Sequence, residues 1–197
     1  MNIVVLAGGL STERDVSLNT GAMVSKALRS KGHNVIMLDV FMGYHDQEED
    51  ITGIFERAEE ASAEGTQIPG EAPDIAQVKA MRKDQSDCFF GPNVIRICQA
   101  ADVVFMALHG ENGENGKIQA AFDLFGIQYT GSRYLGSALA MDKGISKKMF
   151  EAAGIPTPHG ISMSKAQRGV PFAETGLSLP CVVKPCCGGS SIGVTIV

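Results

Sequence analysis

A glycine-rich loop late in the chain could bind phosphate groups. Residues 188–193 read GGSSIG, and glycines let backbone N–H groups approach phosphate oxygens closely. The loop fails the P-loop template, because Val194 stands where that motif has lysine and a strand is predicted to follow. Lys184 lies on the preceding predicted strand, so a cation and a glycine flap would cover phosphates together, as in kinase-like nucleotide sites. A tight hairpin that holds no ligand is the alternative.

Two polar loops are predicted to share one edge of a sheet. Glu13 follows the first apolar segment, and His109 opens the sequence HGENGENG after another. Because parallel strands end at a common ligand crevice, we expect Glu13 to face His109, with Glu111 and Glu114 nearby. The alternatives are a first-turn acid that favours the helix dipole and a structural histidine that bonds nearby backbone. The chain has no G-x-G-x-x-G motif, so a dinucleotide is not indicated.

The elements that must position these residues follow a strand–helix–strand pattern. Residues 3–7 and 34–40 are short apolar runs with an amphipathic helix between them, and the spacing of Thr12 and Asp15 predicts a capping box. Such a βαβ unit implies a parallel sheet. A strand at 102–109, a helix at 118–125 and a short strand at 127–130 are predicted to extend it.

The remaining regions are less regular. Residues 41–92 read as a mobile insertion, whose acids at 46–50 also suit an ordinary solvated loop. Helical stretches are predicted within it at 51–63 and 75–82. Further helices are predicted after it at 94–101, 135–141 and 143–153. Prolines mark a linker at 154–158, and 179–197 resembles a β-hairpin. Lys143 is predicted to start a helix, and a lone lysine at that position is usually solvated. Lys143 is a candidate site residue only because the other motifs accompany it.

Composition excludes several classes of protein. Of the 197 residues, 44% are hydrophobic and 20% charged, with a net charge of −5, which rules out disorder for most of the chain. The longest apolar run, residues 103–108, is too short to cross a bilayer, and the N-terminus lacks signal-peptide features, so we expect a cytoplasmic protein. A pI near 5.4 without a basic cluster argues against nucleic-acid binding. The five cysteines suggest free thiols rather than disulfides or a zinc site.

Four motifs, in this order, resemble the D-alanine–D-alanine ligase family of the ATP-grasp superfamily. They are LAGGLSTERDVSL (6–18), FMALHGENGENGKIQ (105–119), YTGSRYLGSALAMDK (129–143) and VVKPCCGGSSIGV (182–194). The resemblance implies an α/β architecture in which residues 1–142 form a Rossmann-like N-terminal domain with an insertion at 41–92. Residues 143–197 would then be the first part of an incomplete ATP-grasp central domain. The length, about 1.3 typical domains, fits this division.

The resemblance implies ATP-dependent synthesis of D-alanyl-D-alanine for peptidoglycan. In that family ATP phosphorylates the carboxylate of one D-alanine, and the amine of a second attacks the acylphosphate. Carried over by motif, Glu13 would orient the amine of the first D-alanine with Val16 beside it, and His109 would lie near its carboxylate. Lys143 and Lys184 would hold the ATP phosphates, and backbone N–H groups around Ser191 would help to cradle them. Ser190, in the flap, would form a hydrogen bond towards Glu13.

The resemblance also sets limits on this chain. The Mg²⁺ ligands of the family are expected beyond residue 197, and a K⁺ requirement is suggested. We therefore expect the chain alone to be inactive. A homodimer through the N-terminal domain is implied, with no nucleic-acid or membrane partner. Two alternatives stay open: a ligase that joins D-alanine to D-lactate or D-serine, and a non-catalytic binding or dimerisation module.

The flap departs from the family pattern at Cys186-Cys187-Gly188, where many relatives have a larger or polar pair. We expect this change to alter flap stiffness without removing Lys184 or Ser190. A thiol-based role for Cys186 is disfavoured, because no neighbouring base in the sequence suggests activation.

Overall fold

A three-stranded parallel sheet organises the N-terminal part of the computed structural model, which describes residues 1–44, 51–57, 72–189 and 193–197. The central strand β1 (Asn2–Ala7) pairs with β2 (Asn34–Asp39) on one side and β3 (Val103–Met106) on the other. Both faces of β1 are buried, which explains its continuous apolar sequence. The crossover from β1 to β2 is helix α1 (Arg14–Arg29). The predicted βαβ unit and the α/β class are confirmed.

The fourth predicted strand is reduced to a single parallel bridge between Val104 and Tyr129. Two backbone hydrogen bonds hold it: Val104 N donates to Gln128 O at 2.8 Å, and Thr130 N donates to Val104 O at 3.0 Å. Helix α5 (Lys117–Phe125) precedes it and packs Ile118 and Phe122 into the core. The prediction of pairing at this edge is correct, but the pairing does not extend into a strand.

The core lies on both sides of the sheet. One cluster packs Val5, Ala7 and Val35 towards α1, and the larger cluster lies on the opposite face with α4 (Val94–Ala100) and α5. Within residues 41–92, the helices α2 (Ile54–Arg57) and α3 (Ile75–Met81) both have buried side chains. The weak sequence pattern there did not predict this packing. The acids at 46–50 and residues 58–63 of the helix predicted at 51–63 lie outside the described residues.

The described residues of the C-terminal part form helices and a hairpin but no core of their own. Helices α6 (Tyr134–Met141) and α7 (Lys143–Ala152) are followed by two short 3-10 helices, Lys165–Gln167 and Phe172–Glu174. Strands β4 (Val182–Val183) and β5 (Thr195–Ile196) pair antiparallel and confirm the predicted hairpin. Among the described residues, none after Ile127 is buried. No helix in the described ranges is long and apolar enough to span a membrane.

Candidate active site

The Glu13 carboxylate lies between two glycine loops at the carboxyl edge of the sheet. A Cβ added to Gly110 would lie 2.7 Å from Glu13 Oε2, and one added to Gly189 would lie 2.4 Å from the same oxygen. Gly110 follows His109 in the loop after β3, and Gly189 belongs to the flap. The structure therefore brings together three segments that the sequence analysis had assigned to one crevice. A side chain at either position would displace the carboxylate from this place, and the φ of +72° at Gly110 also favours glycine.

Ser11 ties the loop after β1 to the loop after β3. Its hydroxyl donates to His109 O at 2.7 Å and accepts from Glu13 N at 3.2 Å. Glu13 is the residue that precedes α1, yet its side chain makes no capping hydrogen bond. The capping box predicted from Thr12 and Asp15 is therefore wrong: Ser11 meets the Glu13 N–H instead. This leaves the carboxylate free to face the crevice.

Ser17 holds the ends of β1 and β3 together from the first turns of α1. Its buried hydroxyl accepts from Gly8 N at 2.9 Å and donates to Ala107 O at 2.8 Å. Both backbone groups lie just past the ends of their strands, where the neighbouring strands no longer supply hydrogen-bond partners. Ser17, which the sequence did not single out, thus joins Ser11 in holding the two loops together.

A largely buried ion pair braces the same edge on the side of β2. Arg14 donates to the Asp39 carboxylate and, at 2.8 Å, to Gly9 O. Asp39 Oδ1 also accepts from the N–H groups of Phe41 and Met42 at 2.9 and 3.0 Å. Because the carboxylate is met by several donors, its burial is compensated. Arg14 thereby fixes the start of α1, immediately after Glu13.

The imidazole of His109 is oriented by Thr20. Thr20 Oγ1 donates to Val16 O at 2.9 Å and lies 3.1 Å from His109 Nε2. A hydroxyl has one hydrogen, so with that hydrogen given to Val16 O the threonine must accept from Nε2–H. The arrangement favours the tautomer that leaves Nδ1 as an acceptor when the ring is neutral. The side chain is half-buried, and its main-chain oxygen is the acceptor for Ser11.

Two other acids near His109 have local structural partners. The Glu114 carboxylate accepts from Gly110 N at 2.8 Å, and Glu114 N donates to Gly110 O at 3.0 Å, so it closes the loop after β3. Glu111 pairs with Lys117 at 3.3 Å on the exposed surface. These contacts give both acids a structural role that does not involve a substrate.

Lys143 stands at the start of α7 beside the flap. Its Nζ donates to Gly188 O at 2.8 Å and reaches Cys186 O at 3.5 Å, and its main-chain N–H donates to Cys186 O at 3.0 Å. It lines a cleft of about 410 Å³, whose other lining residues are Glu114, Ala140, Met141, Gly188 and Gly189. The isolated lysine of the sequence is therefore held against the glycine flap by three hydrogen bonds.

The other predicted site residues are less constrained. Lys184 is exposed, and its side chain has no partner within the part of the chain that the structure describes. Val16 is half-buried in the first turns of α1 and contributes its carbonyl to Thr20. Ser190 and Ser191 lie outside the described residues, so their predicted roles are not tested.

One cysteine and one tyrosine near the core have raised pKa values. Burial raises the pKa of the Cys98 thiol to about 12. The pKa of Tyr129 is raised by burial and by its hydrogen bond to Asp123. Neither group faces the crevice, which agrees with structural roles for both.

Solved structures that resemble this chain define its class. A D-alanine–D-alanine ligase from Bacillus anthracis covers the whole chain with a TM-score of 0.63 and 30% identity, and the chain covers 49% of it. The same enzyme complexed with ATP gives a TM-score of 0.59 at 27% identity, over 50% of its length. The VanG D-Ala:D-Ser ligase from Enterococcus faecalis gives 0.62 at 27% identity, over 55% of its length. The fold is that of the N-terminal α/β part of a ligase.

The family itself follows from the sequence comparisons. The profile described as "D-ala D-ala ligase N-terminus" matches residues 2–132, so the chain belongs to this family. A protein named D-alanine–D-alanine ligase from Lacticaseibacillus casei is 43% identical over all 197 residues, which are 54% of its length. One from Pediococcus pentosaceus is 43% identical, and the chain matches 55% of it. The chain thus spans about half the length of the curated relatives it matches.

Proposed function

We propose that this chain supplies the first-substrate site and part of the nucleotide site of an ATP-dependent D-alanine–D-alanine ligase. The observation that carries the proposal is the enclosure of the Glu13 carboxylate between Gly110 and Gly189. A half-buried carboxylate is suited to hold the ammonium of a small amino acid. Support also comes from relatives of that name at 43% identity over the full chain.

The roles proposed for the crevice residues are those that the family resemblance implies, and their positions support them. Glu13 would bind the amine of the first D-alanine beside Val16, and His109, held by Thr20, would lie near its carboxylate. Ser190 follows Gly189 directly, so the contact between Gly189 and Glu13 supports the proposed hydrogen bond from Ser190 to Glu13. Closure of the flap would then exclude water from a reactive acylphosphate.

The described residues fit the phosphates of ATP. Lys143 lines the cleft beside the flap, Lys184 is free to turn towards it, and the backbone around Ser191 would add N–H donors. ATP would supply the phosphoryl group that activates the D-alanine carboxylate; ADP leaves, and attack by the second amine then releases phosphate. The lysines would position and neutralise the phosphates during this transfer.

The described residues do not by themselves form a Mg²⁺ site in the cleft. Glu114 is the one carboxylate that lines it within the described ranges, and that group accepts from Gly110 N. Mg²⁺ binds through oxygen ligands in near-octahedral geometry. We therefore propose that its ligands lie outside this chain, that residues 143–197 belong to a central domain completed elsewhere, and that the chain alone is inactive. Within the described ranges, none of residues 143–197 is buried, which supports assigning them to a domain that has no core of its own in this chain.

A chimera tests the proposal. Residues 1–197 are joined to the part of the Lacticaseibacillus casei ligase that they do not match, and D-alanine-dependent phosphate release is measured with ATP, Mg²⁺ and K⁺. We expect activity from the chimera and none from the chain alone. Glu13→Gln should lower kcat/KM for D-alanine about a hundredfold, since it removes one charge-assisted hydrogen bond of about 3 kcal/mol. The control is Glu174→Gln, which changes an exposed acid in a 3-10 helix.

The outcomes separate the candidates. An inactive chimera with native-like circular dichroism, or equal activity of the Glu13→Gln and Glu174→Gln variants, would contradict the proposed site. A D-alanine–D-serine ligase is the second candidate, favoured by the likeness to the VanG enzyme. A full-length protein assayed with D-alanine, D-serine and D-lactate as acceptors distinguishes it. Cytoplasmic location and a homodimer through residues 1–142 are further proposals from the resemblance, and sedimentation of the chain tests the dimer.

A further inference from the structure

Three potential metal ligands meet where the flap touches the start of α7. The side chains of Asp142, Cys186 and Cys187 each offer one ligand atom, and these atoms lie within 4.8 Å of one another. Cys186 Sγ is 3.1 Å from Asp142 Oδ1. The two segments are 44 residues apart in sequence and are joined by the backbone hydrogen bond from Lys143 N to Cys186 O. None of the three side chains is needed for the proposed substrate or nucleotide contacts.

We propose that Asp142, Cys186 and Cys187 bind one thiophilic divalent cation of the Zn²⁺ type. Two thiolates and a carboxylate form a donor set that favours Zn²⁺ or Cd²⁺ over Mg²⁺ or Ca²⁺, which prefer oxygen alone. With Zn–S distances near 2.3 Å and Zn–O near 2.1 Å, tetrahedral geometry places neighbouring ligand atoms roughly 3.5–3.8 Å apart. Separations within 4.8 Å reach this arrangement by small side-chain rotations, and solvent supplies the fourth ligand.

Hydrogen bonds around the cluster orient its ligands. Asp142 Oδ1 accepts from Gly144 N and Ile145 N, both at 2.9 Å, so the carboxylate is fixed as the N-cap of α7. The Ile145 amide, followed by the Cys186 thiol, holds the pKa of Asp142 below its ordinary value. Hydrogen bonding to Asp142 in turn raises the pKa of Cys186. A cation that binds here displaces the thiol protons to solvent and takes the place of the proton between sulfur and oxygen.

The cation would fasten the root of the flap to α7. Asp142 adjoins Lys143, and Cys187 adjoins Gly188, whose carbonyl already accepts from Lys143 Nζ at 2.8 Å. Bound metal would hold these groups in the arrangement that the structure shows. The site goes beyond the proposed ligase function and can be tested apart from it, because metal binding by the chain is measured without catalysis.

The experiment titrates the reduced 197-residue chain with Zn²⁺ against a chromophoric chelator, and with Cd²⁺ while the cadmium–thiolate absorbance is recorded. We expect one ion per chain. Cys186→Ser and Cys187→Ser should each weaken binding by more than about tenfold, since loss of a residue that only hydrogen-bonds a metal ligand already costs about 10–100-fold in metal affinity. Asp142→Asn should also weaken it while keeping the helix cap, because asparagine caps as well as aspartate. Cys88→Ser, which changes another exposed thiol, is the matched control.

A second readout is protection from alkylation. Zn²⁺ should slow the modification of Cys186 and Cys187 but leave that of Cys88 unchanged. The proposal is overturned if either serine variant at 186 or 187 binds as tightly as the native chain, or if Cys88→Ser lowers affinity equally. One ion shared between two chains would also overturn it, as would no measurable binding to a chain whose circular dichroism is native.

Discussion

Removal of the Ser17 hydroxyl should destabilise the N-terminal domain, whereas removal of the Ser25 hydroxyl should not. Both serines lie on α1 and both are almost fully buried, at 0% and 1% exposure. Ser17 Oγ bonds Gly8 N and Ala107 O, while Ser25 Oγ has no hydrogen-bond partner among the described residues. The pair therefore compares the same chemical change on the same helix, with and without lost hydrogen bonds.

The expected magnitudes follow from those contacts. Ser17→Ala leaves a buried N–H and a buried carbonyl unpaired, and each such group costs about 1–3 kcal/mol. Alanine favours the helix by roughly 0.5 kcal/mol, so the net loss should be about 3 kcal/mol. Ser25→Ala removes a hydroxyl that already lacks a partner, so it should be neutral or stabilise by about 0.5–1 kcal/mol.

Urea unfolding followed by far-ultraviolet circular dichroism measures both changes, since the chain has no tryptophan to report by fluorescence. With a slope of about 2 kcal/mol per molar urea, Ser17→Ala should lower the midpoint by about 1.5 M. If Ser25→Ala lowers it as far, the loss comes from packing around α1 rather than from hydrogen bonds. If Ser17→Ala has no effect, the two backbone groups find other partners and the inferred bracing of the crevice is incorrect.

Three further predictions concern particular side chains. The pKa of the Cys98 thiol, raised to about 12, lies above that of a thiol in the unfolded chain. Its contribution to stability is therefore complete below pH 8.5, and above that pH the free energy of unfolding should fall by up to about 1.4 kcal/mol per pH unit. Cys98→Ala should flatten this pH dependence in urea unfolding. Thr20→Val should release His109 Nε2 and change its tautomer ratio in nitrogen NMR spectra, with the circular dichroism unchanged. Gly43→Ala should cost more stability than Gly32→Ala, because both have positive φ but a Cβ on Gly43 meets backbone at 2.5 Å, whereas one on Gly32 meets open space.

The sheet and its functional edge could be predicted because their signals are local. Residues 3–7 and 34–40 are short, largely apolar runs that favour buried strands, and the rule for parallel sheets then predicts Glu13 and His109 at one edge. In the structure, Gly110, the residue after His109, lies beside the Glu13 carboxylate. The hairpin near the flap was predictable for the same reason, since its turn glycines are adjacent in sequence.

The braces of the crevice could not be predicted, because their partners are far apart in sequence. Ser11 bonds a carbonyl 98 residues away, and Ser17 bonds one 90 residues away. A serine near a helix start is ordinary in any sequence, so its type alone carried no signal. The juxtaposition of Asp142 with Cys186 likewise depends on a tertiary contact between segments 44 residues apart, so spacing in the sequence could not indicate the proposed metal site.

The geometry around Glu13 shows how a common local motif becomes available for binding. Acids near a helix N-terminus usually accept from its free N–H groups, and such a carboxylate would be occupied. Here Ser11 meets the Glu13 N–H, and the Glu13 side chain makes no cap. The carboxylate therefore keeps its acceptor capacity for a ligand. Two glycine loops then leave room for it without offering a competing side chain, so the negative charge remains available to a ligand ammonium.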